Sequence, residues 1–155
     1  MANNVSEVEG IRVPPQANEV EQAVIAAMLL DKEAISTAIE SIDETYFYKE
    51  SHRKIYLAIV DLFDRHEAVD MLTITEELKK KGDLEDVGGP FYISEITNSV
   101  PSSANIEYHI NIVRQKALSR KLITVCNEIT NEAFEQEKEV DNLLDQAEQS
   151  IFQIS

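Results

Sequence analysis

One stretch of the chain, residues 103–134, limits the possible folds more than any other. It contains no glycine and no proline, and Ser103 at its start can act as the N-cap of a helix. Apolar residues recur along it in steps of four, three and four, the spacing of a helix face. One series is Ile106, Ile110, Val113 and Ala117, and the other is Leu118, Leu122, Val125 and Ile129. The two series lie on different faces, so one neighbouring helix cannot cover both, and we expect this helix to have more than one packing partner.

The rest of the chain also favours helices. It has only four glycines and four prolines, and β-branched residues do not alternate with polar ones over any useful length, so the predicted fold class is all-α. Amphipathic segments predict helices over residues 19–30, 31–42, 51–66 and 73–81, another that starts at Pro90, and a last one over residues 140–154. The first of these is apolar on nearly all sides from Ala23 onward, so we expect it to be central.

These helices divide the chain into three regions. Residues 1–13 are predicted to form a disordered acidic tail, residues 14–99 a globular helical head of about five helices, and residues 100–155 a long C-terminal antiparallel helical hairpin. The hairpin is predicted because about five residues connect two amphipathic helices. In the last helix Val140, Leu144, Ala147, Ile151 and Ile154 form a heptad-like seam.

The helix over residues 73–81 carries start and stop signals of its own. Thr73 and Glu76 have the spacing of a capping box, and Gly82 follows the last turn. Lys79, Lys80 and Lys81 resemble a nucleic-acid patch, but their place at the negative end of the helix dipole is the better explanation.

The net charge of −15, from 29 acidic and 14 basic residues, argues against tight nucleic-acid binding by this chain alone, since such binding draws on clustered lysine and arginine. The charge is uneven. Arg114, Lys116, Arg120 and Lys121 make residues 107–122 locally basic, whereas residues 122–155 carry eight acids and only one lysine. A solvated helix face is the simpler interpretation of this basic segment.

The sequence shows no constellation typical of a catalytic, cofactor or metal site. His52, His66 and His109 lie far apart, none has a partner at the i, i+4 spacing of a zinc helix, and each is expected at the surface or half buried. No glycine is followed by the lysine and hydroxyl residue of a phosphate loop. We therefore predict that this chain is not an enzyme and has no catalytic, cofactor-binding or metal-binding residues.

Cysteine content and hydropathy indicate the compartment. Cys126 is the only cysteine, so a reducing compartment is expected, and its apolar neighbours suggest a small core residue. The chain begins without the pattern of a signal peptide, and its longest apolar run, residues 23–30, is far shorter than the roughly twenty residues that span a bilayer. We expect a soluble, cytoplasmic protein without membrane contact.

Short motifs follow one another in an order and spacing that match a known family. They are Pro14-Pro15-Gln16, Glu21-Gln22-Ala23-Val24, Phe47-Tyr48 with His52, Val69-Asp70, Gly82 with Leu84-Glu85, Gly88-Gly89 with Tyr92, Val100-Pro101, and Arg120-Lys121-Leu122-Ile123. With them the chain resembles, over roughly residues 14–155, the N-terminal domain of bacterial replicative DNA helicases of the DnaB family. The ATPase domain of that family is absent from this chain.

The resemblance implies a non-catalytic collar domain of a hexameric replicative helicase. In that family the hairpins pair into homodimers, three dimers form the collar, and the collar docks the C-terminal domain of primase. The full-length parent would be an ATP-dependent 5′–3′ DNA helicase that holds ATP and magnesium in the missing ATPase domain. A helicase loader is a further partner to consider, and the isolated domain is expected to bind DNA weakly or not at all.

The resemblance and the apolar spacing together give candidate contact residues. The primase-contacting positions of the family map onto Tyr92, Ile123 and Ile129. The dimer interface is assigned from periodicity alone, to Leu118, Leu122, Val125, Leu144, Ala147 and Ile151.

Two other functions compete with this interpretation. One is a single-stranded nucleic-acid-binding module that uses the basic segment and residues 79–81, which a steeply salt-dependent affinity would indicate. The other is a free-standing helical adaptor of the replication machinery that was never joined to an ATPase domain. The coding sequence downstream of residue 155 distinguishes this adaptor from a helicase domain.

Overall fold

The computed structural model of this protein describes residues 7–8 and 11–155. Seven α-helices contain most of these residues, which confirms the all-α class. They are α1 (Asn18–Leu30), α2 (Lys32–Ser41), α3 (Glu50–Asp64), α4 (Met71–Lys81), α5 (Gly89–Thr97), α6 (Ile106–Glu135) and α7 (Val140–Phe152). A single turn of 3-10 helix over Glu44–Tyr46 lies between α2 and α3.

Two strands of two residues each precede the helices. β1 (Glu7–Val8) and β2 (Ile11–Arg12) are antiparallel, with Glu7 opposite Arg12 and Val8 opposite Ile11. The predicted disordered tail covers residues 1–13, of which residues 1–6 and 9–10 lie outside the described residues. For those positions the tail stays a prediction.

The start of α4 shows how a local hydrogen bond sets a helix end. The Asp70 carboxylate accepts a hydrogen bond from the Thr73 N–H at 2.9 Å, and the Thr73 hydroxyl accepts one from the Asp70 N–H at 2.9 Å. The predicted capping box of Thr73 with Glu76 is therefore wrong, because Asp70 supplies the same spacing three residues earlier. The predicted end is confirmed, since Gly82 takes the left-handed conformation (φ +76°) directly after Lys81.

α1 is the central helix of the head, as its sequence predicts. Val24, Ile25, Ala26 and Met28 are fully buried, and α1 packs against α2, α3 and α5. α4 packs against α3 and α5. The largest fully buried apolar side chains of the other elements are Ile35, Phe47, Ile55, Ile59, Ile74, Leu78, Ile93 and Ile96. Each such side chain contributes about 1.5–3 kcal/mol relative to an exposed one, so this core holds the head together.

The two apolar faces of α6 have different environments. Ile106, Ile110, Val113 and Ala117 are buried, and residues 17–117 form one compact unit that contains the core. Beyond Ala117 no side chain of α6 is buried. The first apolar series therefore closes the head, and the second does not belong to its core.

The described residues outside the head form a second compact unit, which includes the end of α6 and all of α7. Near the short connection between these helices, Lys138 Nζ donates to Glu132 Oε1 at 3.3 Å and to Gln146 Oε1 at 2.7 Å. Gln146 Nε2 also donates to Glu132 Oε1, at 3.4 Å. These bonds join α6 to α7 beside the connection, while pairing of the two helices along their full length stays a prediction.

Candidate functional site

The described residues contain neither a metal site nor a membrane span. No group of three or more His, Cys, Asp or Glu side chains among them could hold a metal ion, and none of their helices is long and apolar enough to cross a bilayer. His66 is exposed and His109 is half-buried, as expected. Cys126 is exposed, so its interpretation as a core residue is wrong, because it lies on the part of α6 that has no buried side chain.

The expectation for His52 is also wrong, since this side chain is completely buried together with Glu21 of α1. His52 Nδ1 lies 2.7 Å from Glu21 Oε1. The same carboxylate accepts hydrogen bonds from the backbone N–H groups of Tyr48 at 2.7 Å and Lys49 at 3.3 Å. Because α3 begins directly after Lys49, which has no capping side chain of its own, Glu21 fixes the start of α3 from another helix.

Tyr92 of α5 lies on the other side of the His52 ring. Its hydroxyl is 2.6 Å from His52 Nε2, and the two rings lie side by side and nearly parallel, with an interplanar angle of 7° and centroids 6.0 Å apart. Gln22 Nε2 donates to the same hydroxyl oxygen at 3.2 Å, and Lys49 Nζ does so at 3.4 Å while lying 5.0 Å from the ring centroid. We call Glu21, His52 and Tyr92 the relay, since their hydrogen bonds connect α1, α3 and α5 in one chain.

The donors and acceptors of the relay determine where its protons lie. The Glu21 carboxylate accepts two backbone N–H groups, so His52 Nδ1 must donate to it. The Tyr92 oxygen accepts from Gln22 and Lys49, so its own hydrogen is directed to His52 Nε2. A neutral His52 protonated on Nδ1 satisfies every one of these bonds.

The glycine pair before Tyr92 allows α5 to start close to this ring. Gly88 has φ +112°, and a Cβ added to it would lie 2.8 Å from Tyr92 Cβ. Any side chain at this position would therefore be strained twice, by its backbone conformation and by the contact. Gly82 has φ +76° but no atom within 4 Å of an added Cβ, so only the backbone conformation is strained there.

Gly88→Ala is expected to lower the free energy of unfolding by about 2–3 kcal/mol, and Gly82→Ala by only about 1 kcal/mol. The difference reports the close approach of Tyr92 together with the larger φ of Gly88, which lies further from the left-handed region that L residues reach. Urea denaturation followed by circular dichroism measures both values. Equal losses for the two variants would show that the contact with Tyr92 costs nothing.

A second buried carboxylate, Glu77 of α4, has a simpler partner. Arg65 donates to it through both terminal nitrogens, with Nη1 at 3.2 Å from Oε1 and Nη2 at 2.8 Å from Oε2. Glu77 is 5% exposed. The hydrogen bond from Arg65 lowers the pKa of Glu77 below its ordinary value of 4.5. This pair attaches α4 to the end of α3.

The lowered pKa of Glu77 predicts how stability depends on pH. A carboxylate whose pKa is lower in the folded state stabilises the fold above its unfolded-state pKa, and this contribution is lost as the pH falls through the folded-state pKa. The melting temperature of the wild type should therefore fall more steeply below about pH 4.5 than that of Glu77→Gln. Melting curves between pH 7 and pH 3 test this, with the exposed Glu76→Gln as the matched control. Parallel curves for wild type and Glu77→Gln would contradict it.

The predicted contact residues fall in both units of the structure. Tyr92 belongs to the head, is half-buried, and has its hydroxyl in the relay. Ile123 is 46% exposed and Ile129 is half-buried, both on the part of α6 beyond the head. Of the predicted dimer residues, Leu122, Leu144 and Ile151 are exposed, and Leu118, Val125 and Ala147 are half-buried. No residue of either predicted set belongs to the buried core.

The exposed apolar side chains of the second unit form its most notable surface feature. Leu122 is 44%, Phe134 83%, Val140 70%, Leu144 59% and Phe152 80% exposed. No residue of α7 is buried. Isolated apolar residues on a surface are ordinary, but this many large ones on two adjoining helices are typical of an interaction surface. We call the part of α6 beyond Ala117 together with α7 the apolar arm.

Comparison with known proteins supplies the family. The profile of the DnaB-like helicase N terminal domain matches residues 13–115. The replicative DNA helicase DnaB of Rhodothermus marinus is 45% identical over 144 residues, which are 93% of this chain and 15% of that protein. The replicative DNA helicase DnaB of Geobacillus stearothermophilus is 40% identical over 151 residues, or 97% of this chain and 33% of that protein. The chain thus spans a third or less of the length of these relatives.

Solved structures agree with the sequence comparison. The crystal structure of the N-terminal domain of DnaB helicase from Mycobacterium tuberculosis matches 92% of this chain and 100% of its own, with a TM-score of 0.86 and 34% identity. A structure of a DnaB-like replicative helicase, described with its interactions with primase, matches 90% of this chain with a TM-score of 0.73. At 23% identity that second likeness concerns the fold alone. The chain belongs to the family of DnaB-like helicase N-terminal domains.

Proposed function

We propose that this chain is a non-catalytic collar domain of a replicative DNA helicase, which assembles with copies of itself and docks primase. The observation that carries the proposal is the apolar arm, whose large side chains are exposed although the head already has a complete core. Burial of such side chains against another protein contributes favourably at about 25 cal/mol per Å² of apolar surface. A surface of this kind is suited to binding other proteins rather than to catalysis.

The activity of the whole protein is part of the proposal. The relatives from Rhodothermus marinus and Geobacillus stearothermophilus are replicative helicases several times longer than the matched region. By analogy, ATP and magnesium would bind to a separate ATPase domain that drives 5′–3′ unwinding in the cytoplasm. The domain described here would contribute assembly and recruitment.

Self-association is assigned to the apolar arm. We propose that α6 and α7 form a helical hairpin, that two hairpins pair through Leu118, Leu122, Val125, Leu144, Ala147 and Ile151, and that three such dimers form the collar of a hexamer. The exposure of Leu122, Leu144 and Ile151 supports this assignment, since the other residues of their unit do not bury these side chains. The heptad-like seam of α7 gives the spacing that knobs-into-holes packing requires.

Primase docking is assigned to Tyr92, Ile123 and Ile129. A solved helicase with the same fold is described with its interactions with primase, and we propose the same class of partner here. The exposure of Ile123 supports a role in contact, because an isoleucine at 46% exposure contributes little to folding. A helicase loader is a further partner that the same arm would suit.

Ile123→Asp tests the docking assignment. The variant should weaken binding of the primase C-terminal domain at least tenfold, since it places a charge in an apolar contact, while the helical circular dichroism signal stays intact. Isothermal titration calorimetry measures the affinity. Leu72→Asp is the matched control, because Leu72 is 71% exposed on α4 and belongs to neither predicted set. If Ile123→Asp binds primase as the wild type does, the docking assignment is wrong.

The nucleic-acid-binding alternative receives less support from the structure. Arg120, one of the four residues of the basic segment, donates to the Pro15 carbonyl at 2.9 Å, and the net charge is −15 with all 14 basic residues of the chain counted. A steeply salt-dependent affinity of this chain for single-stranded DNA would favour that alternative instead.

A further inference from the structure

The relay contains two residues that no partner protein can touch. Glu21 is 2% exposed and His52 is fully buried, whereas Tyr92 is half-buried and the neighbouring Phe91 is 81% exposed. The first turn of α5 therefore has one aromatic side chain held inward and one directed to solvent. Any partner that binds this turn meets a surface whose shape depends on Tyr92.

We propose that Glu21 and His52 are positioning residues for partner docking, which act by holding Tyr92 and with it the first turn of α5. This inference rests on the proposed function, in which α5 contributes Tyr92 to the primase contact. The buried pair contributes no contact area. Its role is to reduce the number of orientations that Tyr92 and the adjoining turn adopt before the partner arrives, which lowers the entropic cost of binding.

The hydrogen bonds of Tyr92 are the first argument for this role. Its oxygen accepts from Gln22 and Lys49, so one acceptor, His52 Nε2 at 2.6 Å, receives its hydrogen. A hydroxyl with all of its bonds made has a single favourable orientation. Without an acceptor at this position, the hydroxyl hydrogen of Tyr92 would lose its hydrogen-bond partner within the protein.

The packing of the Tyr92 ring is the second argument. The His52 ring lies beside it and nearly parallel to it, with an interplanar angle of 7° and centroids 6.0 Å apart, and the Lys49 ammonium group lies over its face, 5.0 Å from its centroid. Gly88 itself has no Cβ, and a Cβ added there would lie only 2.8 Å from the Tyr92 Cβ. The ring is thus restrained at its hydroxyl by His52, on one face by Lys49 and at its base by the turn at Gly88.

The third argument is that Glu21 acts on Tyr92 only through His52. Its carboxylate fixes the proton on His52 Nδ1, and this leaves Nε2 as the acceptor that the Tyr92 hydroxyl needs. Without that carboxylate the imidazole would be free to carry its proton on Nε2. The Tyr92 hydroxyl would then face a donor in place of an acceptor.

Two substitutions of His52 separate positioning from stability, because each retains one of its two hydrogen bonds. The amide of His52→Asn can replace Nδ1 and donate to Glu21, whereas the amide of His52→Gln can replace Nε2 and accept from Tyr92. Both variants lose ring packing, so both should melt at lower temperatures than the wild type. Only His52→Asn, however, leaves the Tyr92 hydroxyl without an acceptor.

The experiment measures the affinity of each folded variant of this 155-residue chain for the purified C-terminal domain of primase by calorimetry. All titrations are run well below the lowest melting temperature of the set. His52→Asn and Tyr92→Phe should bind about five- to tenfold more weakly than the wild type, the effect of about one hydrogen bond. His52→Gln should bind within about threefold of the wild type although it is destabilised.

Comparison with Ile123→Asp separates a failure of the positioning role from a failure of the primase docking assignment. If Ile123→Asp weakens binding but His52→Asn and Tyr92→Phe bind like the wild type, the positioning role is wrong and primase docking stands. If affinity follows melting temperature across both His52 variants, the relay is only structural and the inference is again overturned. If neither Ile123→Asp nor the relay variants change binding, the docking assignment itself is wrong.

Discussion

Glu21→Ala should lower the free energy of unfolding by about 3–4 kcal/mol, the largest effect expected for any single polar residue of the head. The substitution removes one carboxylate and leaves three donors without their acceptor: the N–H groups of Tyr48 and Lys49, and Nδ1 of the fully buried His52. An unsatisfied buried donor costs about 1–3 kcal/mol. Urea denaturation at neutral pH, monitored by circular dichroism, measures the change.

The control for this prediction lies on the same helix turn. Glu19 is exposed in the first turn of α1, so Glu19→Ala should change the free energy of unfolding by no more than about 0.5 kcal/mol. Glu21→Gln should fall between the two alanine variants, because its amide keeps an acceptor oxygen but directs a donor toward other donors. A loss below 1 kcal/mol for Glu21→Ala would show that the relay does not stabilise the head.

Leu122→Asp should weaken self-association of the domain at least a hundredfold without unfolding it. Leu122 is 44% exposed, so an aspartate at this position is solvated in the monomer, but a charge in the centre of the proposed dimer interface would be desolvated without a partner. Light scattering coupled to size exclusion over a dilution series measures the shift toward monomer. Leu57→Asp is the matched control, because Leu57 is 40% exposed on α3. Equal dissociation of both variants would contradict the assignment.

Periodicity along the chain correctly predicted those features of the fold that depend on neighbours in sequence. The apolar residues Ile106, Ile110, Val113 and Ala117 recur at helical spacing, all four are buried, and the first three belong to the core of the head. The central position of α1 followed in the same way from its lack of a polar face beyond Ala23. Both predictions succeed because a helix that buries a face must repeat that face in its sequence.

The relay was not predicted, because its members lie far apart in the chain. Glu21 and His52 are separated by 31 residues, and His52 and Tyr92 by 40. A single histidine at helical spacing shows only that it lies on a helix. The one local signal was Glu21 itself, an acid two residues before the apolar run of the most buried helix, where a charged side chain needs a partner.

Helix starts were predicted less well than helix faces. Asp70, Thr73 and Glu76 are equally spaced, so two overlapping capping boxes are possible, and propensity does not choose between them. The structure selects Asp70, whose carboxylate accepts from the Thr73 N–H. Cys126 was misplaced for a different reason, since the apolar spacing of α6 continues past Ala117 although its burial does not. A sequence pattern shows that a face is apolar but not which protein covers it.

Sedimentation equilibrium of the wild-type domain tests most directly whether the apolar arm serves another copy of this chain. The chain has a mass of 17.5 kDa. If the arm is an interface, the apparent mass should rise with concentration to at least twice this value, and Leu122→Asp should abolish the rise. A wild-type mass that stays at 17.5 kDa across the concentration range would contradict the account.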